Sequence, residues 1–467
     1  MQDISTEIIS SLNNFLAGSK SKIKDAPDGQ VLINFIIPIP GFDFEKKIDS
    51  LSKLFPRSFY YNNPVEKFSF LALDEILTVA ENGDGRFAAT EKKLKGWREK
   101  FISNQSDYNG MQFPLFVGAM KFTVEHSDND WKDFNDSTWF LPEIIFFKQS
   151  EKVFLIFNSL VPSTSSEDRV VKKLKSKLEI ILKTKDDETS SVTIKAVSGN
   201  TPKDKKKWKT IVQQLIDKLE DGSLKKAVIS RRVELQLTDE PSLGFVKDKL
   251  RLSNDGCYIF IYRNNKSAFF GASPELLLKL NDNEFTTGAL AGSSVRGKDD
   301  AEDKQLESDL LKSDKNLREH NLVTEHIINS LKTYSGSVPA VEQLTVRKLK
   351  NIQHLYTRIT CHNSSASNIF GLVKDLFPTP AVCGVPKETA LNIIEDLETD
   401  QRGLYSGIIG WFNFNNSVEL VVGIRSGLSI GSRVLAYSGA GIVPDSNPDE
   451  EYSETEIKLK SILSVFS

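Results

Sequence analysis

Cysteine is scarce in this chain of 467 residues, and positive charge is not in excess. Its three cysteines form no CxxC motif, and so small and odd a number indicates a reducing compartment, which we expect to be the cytoplasm. The formal net charge is −3, so no overall positive field favours nucleic acid as a partner. The basic run at residues 203–209 is interpreted as the solvated start of a helix. Nucleic-acid binding is therefore not expected.

Long apolar runs are absent as well. No stretch approaches the roughly 18 residues that a membrane span requires, so we expect no insertion into a membrane. Residues 1–18 lack the basic segment and apolar core of a signal peptide, which favours an amphipathic helix. Charged residues make up 26% of the chain and hydrophobic residues 39%, the profile of a soluble globular protein.

Several common catalytic motifs are also missing. No histidines and cysteines have zinc-site spacing, and neither a Gly-x-Ser-x-Gly elbow nor a GxxxxGK[ST] phosphate loop occurs. Among the five histidines only His354 lies between apolar stretches, where a hydrogen-bonded core histidine is the simplest interpretation. Any chemistry must therefore depend on other residue types.

Many short strands with interspersed helices predict an α+β fold built on antiparallel sheets. Residues 1–190 hold no catalytic motif, so we interpret them as scaffold or as a cover for a site built elsewhere. The polar segment at residues 183–207 is the best candidate boundary. It divides the chain into an N-terminal scaffold at residues 1–200 and a catalytic region at residues 205–467. In the first part we expect strands at residues 31–38, 58–61, 67–73, 113–122, 139–149 and 152–160, and helices at residues 45–54 and 91–101.

A glycine-rich stretch near the C-terminus is the first candidate for a binding site. Gly439 and Gly441 flank one alanine, and without Cβ atoms their backbone N–H groups can approach a ligand closely. On the acidic helix that follows, Glu451, Glu454 and Lys458 have the spacing to share one face. Two carboxylates on one face would suit Mg²⁺. The alternative is a solvated first turn, where the helix dipole favours glutamate.

Three charged residues stand beside apolar residues. Arg425 interrupts an apolar strand, and a buried guanidinium needs an anion, either a ligand carboxylate or an internal Asp or Glu. Burial lowers the pKa of a lysine and raises the pKa of a glutamate, so Lys226 and Glu275 could act as base and acid near neutral pH. Alternatively the two pair with each other, or Lys226 extends its amine to solvent.

Glu319 lies on a charged helix with no lysine four residues later, which leaves a free carboxylate. It could join Glu454 at a metal, or it could be one more surface charge. A lysine, several glutamates, an arginine and glycine-rich loops together suit Mg²⁺-assisted chemistry on a small polycarboxylate.

Nine short blocks follow one another in the order found in one enzyme family. The blocks lie at residues 226–231, 271–277, 290–293, 319–323, 354–355, 380–387, 402–407, 423–425 and 438–455. Through them the chain resembles the chorismate-utilising enzymes, which include isochorismate synthases, salicylate synthases, anthranilate synthase large subunits and aminodeoxychorismate synthases. The match covers roughly residues 205–465.

The resemblance implies a role for each matching residue. A Mg²⁺ site for the ring carboxylate of chorismate is implied at Glu319 and Glu454, with Glu451 nearby and Lys458 assisting. Contacts with the enolpyruvyl carboxylate are implied for Arg425, for Tyr405 and for the backbone of Gly439 and Gly441. Gly292 is implied to lie near the C4 hydroxyl. Substrate contacts are also implied for His354 and Ala381.

The same resemblance implies that Lys226 activates water for attack at C2 and that Glu275 protonates the departing C4 hydroxyl. Hydroxide leaves poorly unless it is protonated, and water attacks poorly unless it loses a proton, so the reaction needs a base and an acid.

Ala381 distinguishes among the members of the family. Members that eliminate pyruvate or install an amine usually have threonine there, whereas isochorismate synthases have alanine. The first half also lacks the Leu-Leu-Glu-Ser segment of anthranilate synthases, and Asn316 stands where several relatives have an acidic residue. The resemblance therefore implies an isochorismate synthase that interconverts chorismate and isochorismate. The alternatives are a salicylate synthase, or isochorismate supply to a catechol siderophore and not to menaquinone.

The fold implied is a single α+β unit with two packed antiparallel sheets, helices outside and the site in a central cleft. A monomer or homodimer is expected, with no obligatory glutaminase subunit. Both segments on either side of residue 200 would then belong to one fold.

Overall fold

We describe a computed structural model that covers residues 2–26, 29–108, 110–124, 130–164, 167–188, 191–281, 283–335, 337–362 and 369–467. Within these residues the chain forms two β-sheets with helices around them. Neighbouring strands are antiparallel, apart from one parallel pair between the two strands at residues 30–38 and 101–103. The α+β fold with two antiparallel sheets is thus confirmed.

The first sheet contains thirteen of the described strands. In spatial order it consists of β10 (Ile194–Ser198), β11 (Lys226–Leu237), β23 (Arg433–Ile442), β22 (Ser426–Ile430), β13 (Ser267–Ser273), β12 (Tyr258–Asn264), β2 (Arg57–Asn63), β3 (Phe68–Leu73), β8 (Ile144–Gln149), β9 (Lys152–Pro162), β1 (Gln30–Pro38) and β5 (Phe101–Ser103), with β19 (Gly384–Val385) paired to β11.

The second sheet contains ten of the described strands. In spatial order it consists of β16 (Ala340–Val341), β18 (Ile352–His362), β15 (Glu284–Val295), β14 (Leu276–Asn281), β21 (Val418–Val422), β20 (Ile408–Phe412), β6 (Phe116–Met120), β7 (Ser137–Leu141) and β4 (Leu77–Glu81), with β17 (Thr345–Lys348) paired to β18.

The helices in the described residues cover the outer faces. They are α1 (Gln2–Lys24), α2 (Ile48–Ser52), α3 (Arg86–Arg98), α4 (Glu167–Lys183), α5 (Pro202–Leu219), α6 (Leu243–Ser253), α7 (Asp300–Lys312), α8 (Asp314–Lys332), α9 (Ile369–Leu376), α10 (Lys387–Leu397) and α11 (Pro448–Leu463), with 3-10 turns at Phe44–Lys46 and Gln105–Asp107. In the described part of the chain, no helix combines the length and the apolar character needed to cross a bilayer.

Aromatic side chains fill the space between the two sheets. Phe59 and Phe70 of the first sheet belong to the same buried cluster as Phe140 and Trp411 of the second. Aromatic residues are well suited to such a layer because each buries a large apolar area. Both sheets take strands from either side of residue 200, since β12 pairs with β2 and β20 pairs with β6. The division of labour between residues 1–200 and 205–467 stays a prediction.

The chain crosses between the sheets at two points beside the site. β13 of the first sheet continues through Glu275 into β14 of the second, and β21 of the second continues through residues 423–425 into β22 of the first. The crossings are hydrogen-bonded to each other, since the N–H of Val422 donates to the carbonyl of Glu275 (3.1 Å) and the N–H of Ala272 to that of Arg425 (3.0 Å). Glu275 and Arg425 therefore leave the regular sheets at neighbouring points.

One strand expected from the sequence is in fact two. The apolar run at residues 139–149 divides at Pro142 into the end of β7 and the start of β8, which belong to different sheets. Proline cannot donate to a strand ladder, so it suits the point where the chain leaves one sheet for the other. The helix expected at residues 45–54 is shorter, a 3-10 turn followed by α2.

Candidate active site

A cleft lies where the two crossings meet the glycine-rich end of β23 and helices α8 and α11. It encloses about 620 Å³ of empty space, part of it open to solvent, which suits a small molecule. The predicted residues that line it are Glu275, Gly292, Glu319, His354, Ala381, Tyr405, Arg425, Gly439, Gly441, Glu454 and Lys458. Lys226 and Glu451 are buried and do not belong to this lining.

Lys226 begins β11 and is fully buried. Its Nζ lies 2.9 Å from Oε1 of Glu319, an ion pair whose angle falls outside that of a hydrogen bond. A Cβ atom on Gly441 would lie 2.9 Å from Cε of Lys226, so the glycine leaves the room that the lysine fills. Lys226 thus neither pairs structurally with Glu275 nor extends to solvent. The expectation that Glu319 is a free carboxylate was wrong, because its partner comes from a distant strand.

Glu275 stands at the crossing from β13 to β14 and is 3% exposed. Its Oε1 accepts a hydrogen bond from Oγ1 of Thr379 at 3.2 Å. Burial raises the pKa of Glu275 to about 7, although Thr379, Lys226 and Lys458 act in the opposite direction. The prediction that burial brings this carboxyl group into the neutral range is confirmed. Such a group can hold a proton near neutral pH and donate it.

Arg425 lies between β21 and β22, and not within a strand as expected. Its φ angle is 51°, because β21 ends at Val422 and the chain bends there to reach the other sheet. The side chain is buried and lines the cleft. Nη2 lies 3.1 Å from Nε2 of His354, and no Asp or Glu in the described residues forms an ion pair with the guanidinium. The internal salt bridge offered as the alternative is therefore not found.

His354 connects Arg425 to the opposite wall. Its Nδ1 lies 3.0 Å from Oγ of Ser293, across the pair of strands β15 and β18. A guanidinium can only donate, so Nε2 accepts from Arg425 and Nδ1 carries the hydrogen that it donates to Ser293. Burial, with Arg425 and Lys458, holds the pKa of His354 well below its usual value. This histidine is hydrogen-bonded, as the simplest interpretation held, and it also lines the cleft.

Gly292 forms a bulge in β15. The register with β18 shifts between Ala291 and Ser293, and Gly292 has a φ of 77°. A Cβ atom on Gly292 would lie 3.1 Å from Cβ of Asn316, whose Oδ1 accepts from the N–H of Ser293 at 3.1 Å. Nδ1 of His320 lies 3.3 Å from the carbonyl of Ala291. Asn316, where relatives have an acidic residue, therefore supports the bulge.

An aromatic pair lies beside Gly439 in the wall of the cleft. The ring of Tyr405 stacks on that of Tyr437 with centroids 5.2 Å apart and an angle of 16° between the planes. Burial raises the pKa of Tyr405 to about 12, so its phenol remains a neutral hydrogen-bond donor. Ala381 lies in the loop before β19. The small side chain of Ala381 leaves space at this side of the cleft.

Gly439 and Gly441 lie in β23, so the expectation of a glycine-rich loop was wrong. They pair with Ser230 and Val228 of β11. The pairing of β23 with β22 ends at Ala436, so the other edge of this segment has no partner strand within the described residues. Because Gly439 and Gly441 have no Cβ atoms, the backbone of this strand segment is directly accessible from the cleft.

Two glutamates of α11 are paired with lysines. Oε1 of Glu451 lies 2.8 Å from Nζ of Lys315, and Oε1 of Glu454 lies 2.5 Å from Nζ of Lys458. Burial and the neighbouring Glu454 raise the pKa of Glu451. Burial would also raise the pKa of Glu454, but the nearby Lys458, Lys315 and Arg425 outweigh it and lower that pKa. The pKa values of the two glutamates are therefore shifted in opposite directions.

Three carboxylates surround Lys315. The pKa of Lys315 is above its ordinary value, because the effect of Glu451, Glu319 and Glu454 together exceeds the lowering caused by burial. Hard oxygen donors of this kind suit Mg²⁺, which is usually coordinated by one or two protein carboxylates together with oxygen atoms of the substrate. Within the described residues no group of three such side chains has the geometry to hold a metal ion, since each carboxylate faces a lysine. Glu319 and Glu454 line the cleft and are the pair suited to the ion.

Sequence reasoning missed four residues of the site. Thr379 bonds to Glu275, Ser293 bonds to His354, and Tyr437 stacks on Tyr405. None of these has a local signal, because each contact joins distant parts of the chain. Lys315 could have been found from the sequence, because it precedes Glu319 by four residues on α8 and so lies on the same face of that helix.

A family model describing chorismate binding enzymes matches residues 19–467. The chain belongs to this family. The resemblance inferred from nine short blocks is thus confirmed, and the match extends into the first half of the chain, where no block was found.

Individual members of the family are similar to this chain over most of its length. It is 31% identical to isochorismate synthase MenF of Bacillus subtilis, over 75% of this chain and 74% of that protein. It is 29% identical to the salicylate biosynthesis isochorismate synthase of Pseudomonas aeruginosa, over 87% and 84% of the two chains. The structure of MenF, the menaquinone-specific isochorismate synthase of Escherichia coli, superimposes with a TM-score of 0.80 at 24% identity, covering 98% of this chain and 99% of that one, which establishes the shared fold.

Proposed function

We propose that this protein is an isochorismate synthase that interconverts chorismate and isochorismate. The observation that carries the proposal is the buried guanidinium of Arg425, which faces the cleft with no carboxylate partner among the described residues. A buried guanidinium without an internal anion favours a ligand carboxylate. Chorismate carries two carboxylates, and the cleft offers a second cationic group in Lys458.

The acid and the base of the reaction come from separate elements. Glu275, with its pKa of about 7, holds the proton that the C4 hydroxyl needs in order to leave as water. As the neutral amine, Nζ of Lys226 takes a proton from the water that attacks C2, and the ammonium that forms is the protonated state that pairs with Glu319 at 2.9 Å. One water adds and one leaves, so the product is an isomer of the substrate.

The remaining residues orient the substrate. Arg425 and the neutral phenol of Tyr405 bind the enolpyruvyl carboxylate, and His354 fixes the guanidinium by accepting its hydrogen bond. Glu319 and Glu454 would hold Mg²⁺, which supplies positive charge for the ring carboxylate when it is bound. The bulge at Gly292 lets the backbone approach the C4 hydroxyl.

Ala381 supports this reaction over pyruvate elimination, because the family members that eliminate pyruvate usually have threonine there. We also propose menaquinone biosynthesis as the destination of the product, since the chain is as long as the enzymes of that pathway. Loss of menaquinone on deletion of the gene would support this destination, whereas loss of a catechol siderophore alone would contradict it.

Product analysis tests the reaction. The purified protein is incubated with chorismate and Mg²⁺ beside two variants, Lys226→Met and Lys225→Met. Lys225 is the exposed neighbour of the buried Lys226, so its replacement is a matched control for charge and position. We expect a product of unchanged mass from the wild type and from Lys225→Met, and none from Lys226→Met.

Other products would contradict the proposal in specific ways. Salicylate with pyruvate would assign the protein to the salicylate synthases. An aminated product in the presence of ammonia would indicate an amine-installing synthase. Chorismate binding without turnover would indicate a binding protein.

A further inference from the structure

Arg402 is a buried arginine that does not line the cleft. Its side chain is 2% exposed. Nε and Nη2 donate to both carboxylate oxygens of Glu398, at 2.9 and 2.6 Å. Nη1 donates to the carbonyl of Val382 at 2.8 Å, and Nη2 also donates to the carbonyl of Val228 at 2.7 Å. The guanidinium thus connects two backbone carbonyls that belong to different elements.

Those two elements form opposite parts of the site. Val228 lies on β11, two residues after Lys226 and so on the same face of that strand, and it lines the cleft. Val382 lines the cleft next to Ala381. The loop of Val382 also contains Thr379, whose hydroxyl bonds to Glu275. Arg402 therefore joins the strand of the base to the loop that holds the acid.

Glu398 reinforces the same connection. Besides its bidentate pair with Arg402, its Oε1 accepts from the backbone N–H of Ser230 on β11 at 2.6 Å. A carboxylate that is 7% exposed and bonded in this way fixes the guanidinium in one orientation. Lysine could keep the charge pair, but its single amine could not reach both carbonyls and the carboxylate in this planar arrangement.

The first half of the chain supports this arginine. The ring of Phe122 lies over the guanidinium, with its centroid 4.3 Å from Cζ of Arg402. The backbone N–H of Phe122 donates to the carbonyl of Gly403 at 2.9 Å. Trp131 packs so closely on Gly403 that a Cβ atom there would lie 2.0 Å from its ring. Residues before 150 thus hold the turn that leads to Tyr405.

We propose that Arg402 is a positioning residue that sets the separation between Lys226 and Glu275. It touches neither substrate nor reacting atoms, and it acts through the carbonyls of Val228 and Val382. The inference rests on the proposed isochorismate synthase activity. Its consequence is that Arg402 governs turnover more than substrate affinity, because Arg425 and Lys458, which bind the carboxylates, are not among its partners.

The test compares Arg402→Lys with a matched control, Arg263→Lys. Arg263 also donates to two backbone carbonyls, those of Ser52 and Phe55 at 2.8 Å, but it is remote from the cleft. We expect kcat of Arg402→Lys to fall about tenfold or more while KM stays within about threefold, since a small misplacement of catalytic groups has effects of this size. The thermal midpoint of both variants should fall by a similar amount, and Arg263→Lys should keep the kcat of the wild type.

The inference is overturned if kcat of Arg402→Lys stays within about twofold of the wild type, or if Arg263→Lys loses as much kcat, which would show a general effect on folding. Phe122→Leu, which leaves every hydrogen bond of Arg402 in place, should show a smaller loss of the same kind. A wild-type protein that does not convert chorismate would refute the proposed function instead. Fluorescence titration with chorismate then decides the inference, which fails if Arg402→Lys binds chorismate more than about threefold more weakly than the wild type, since a positioning residue should leave affinity unchanged.

Discussion

Replacing Glu275 with glutamine should abolish turnover and at the same time stabilise the protein above neutral pH. The ordinary pKa of a glutamate is 4.5, and burial raises that of Glu275 to about 7. The folded protein therefore holds this proton more tightly than the unfolded chain does. Stability is present in full at acid pH, falls as the pH rises from about 4.5 to about 7, and is then level. Glutamine has no proton to lose.

The size of the effect follows from the shift. A difference of about 2.5 pKa units corresponds to about 3 kcal/mol, which is an upper limit because the site can relax around the charge. We expect Glu275→Gln and the wild type to unfold at similar urea concentrations at about pH 5. At about pH 8 the variant should be more stable by about 1–3 kcal/mol. Urea unfolding followed by tryptophan fluorescence at several pH values measures this difference.

Glu419 provides a parallel variant away from the cleft. It is fully buried in the second sheet, accepts a hydrogen bond from Nδ2 of Asn63 at 2.8 Å, and burial raises its pKa to about 7. Glu419→Gln should gain stability over the same pH range and keep its activity. A gain that does not change with pH, or that grows toward acid pH, would refute the argument from burial for both residues.

Three further variants test the rest of the cleft. Arg425→Met should weaken chorismate binding by about 2–5 kcal/mol, measured by titration calorimetry, and unchanged affinity in a folded variant would contradict the assignment of Arg425 to a substrate carboxylate. Gly441→Ala places a Cβ atom 2.7 Å from Oε1 of Glu319 and 2.9 Å from Cε of Lys226, so kcat should fall on the order of 100-fold with little change in KM. Ala381→Thr should lower the yield of isochorismate and release pyruvate in a coupled dehydrogenase assay; a variant with wild-type products would show that this position does not select the reaction.

The sequence predicted the fold class and most of the lining of the cleft, because ordered blocks and buried charges are local features. It placed Arg425 in a strand, since the apolar run that precedes it has strand periodicity. At residue 423 the chain passes from the second sheet to the first, and no local sequence pattern indicates this passage. The same limit explains why residues 139–149 were taken as one strand.

Ion pairs between charged residues that are distant in sequence could not be predicted from the sequence either. Glu319 was expected to be free because only its own helix was considered, yet its partner is Lys226 on β11. The lysines around the carboxylates come from three elements, and their choice of partner depends on tertiary packing. Arg402 lay inside a recognised block, but the reason for its presence is visible only through Val228, Val382 and Phe122.

The interleaving of the strands has a consequence for how the protein is made. β2 and β6 leave the ribosome early, but their partners β12 and β20 are synthesised long afterwards. Until then each early strand has an unpaired edge, which is a template for association with other chains. Contacts of such high sequence separation also make folding slow, because a long loop must close before any pairing is gained. Chaperone dependence during synthesis, and aggregation of nascent chains released before residue 408, are therefore expected of this architecture.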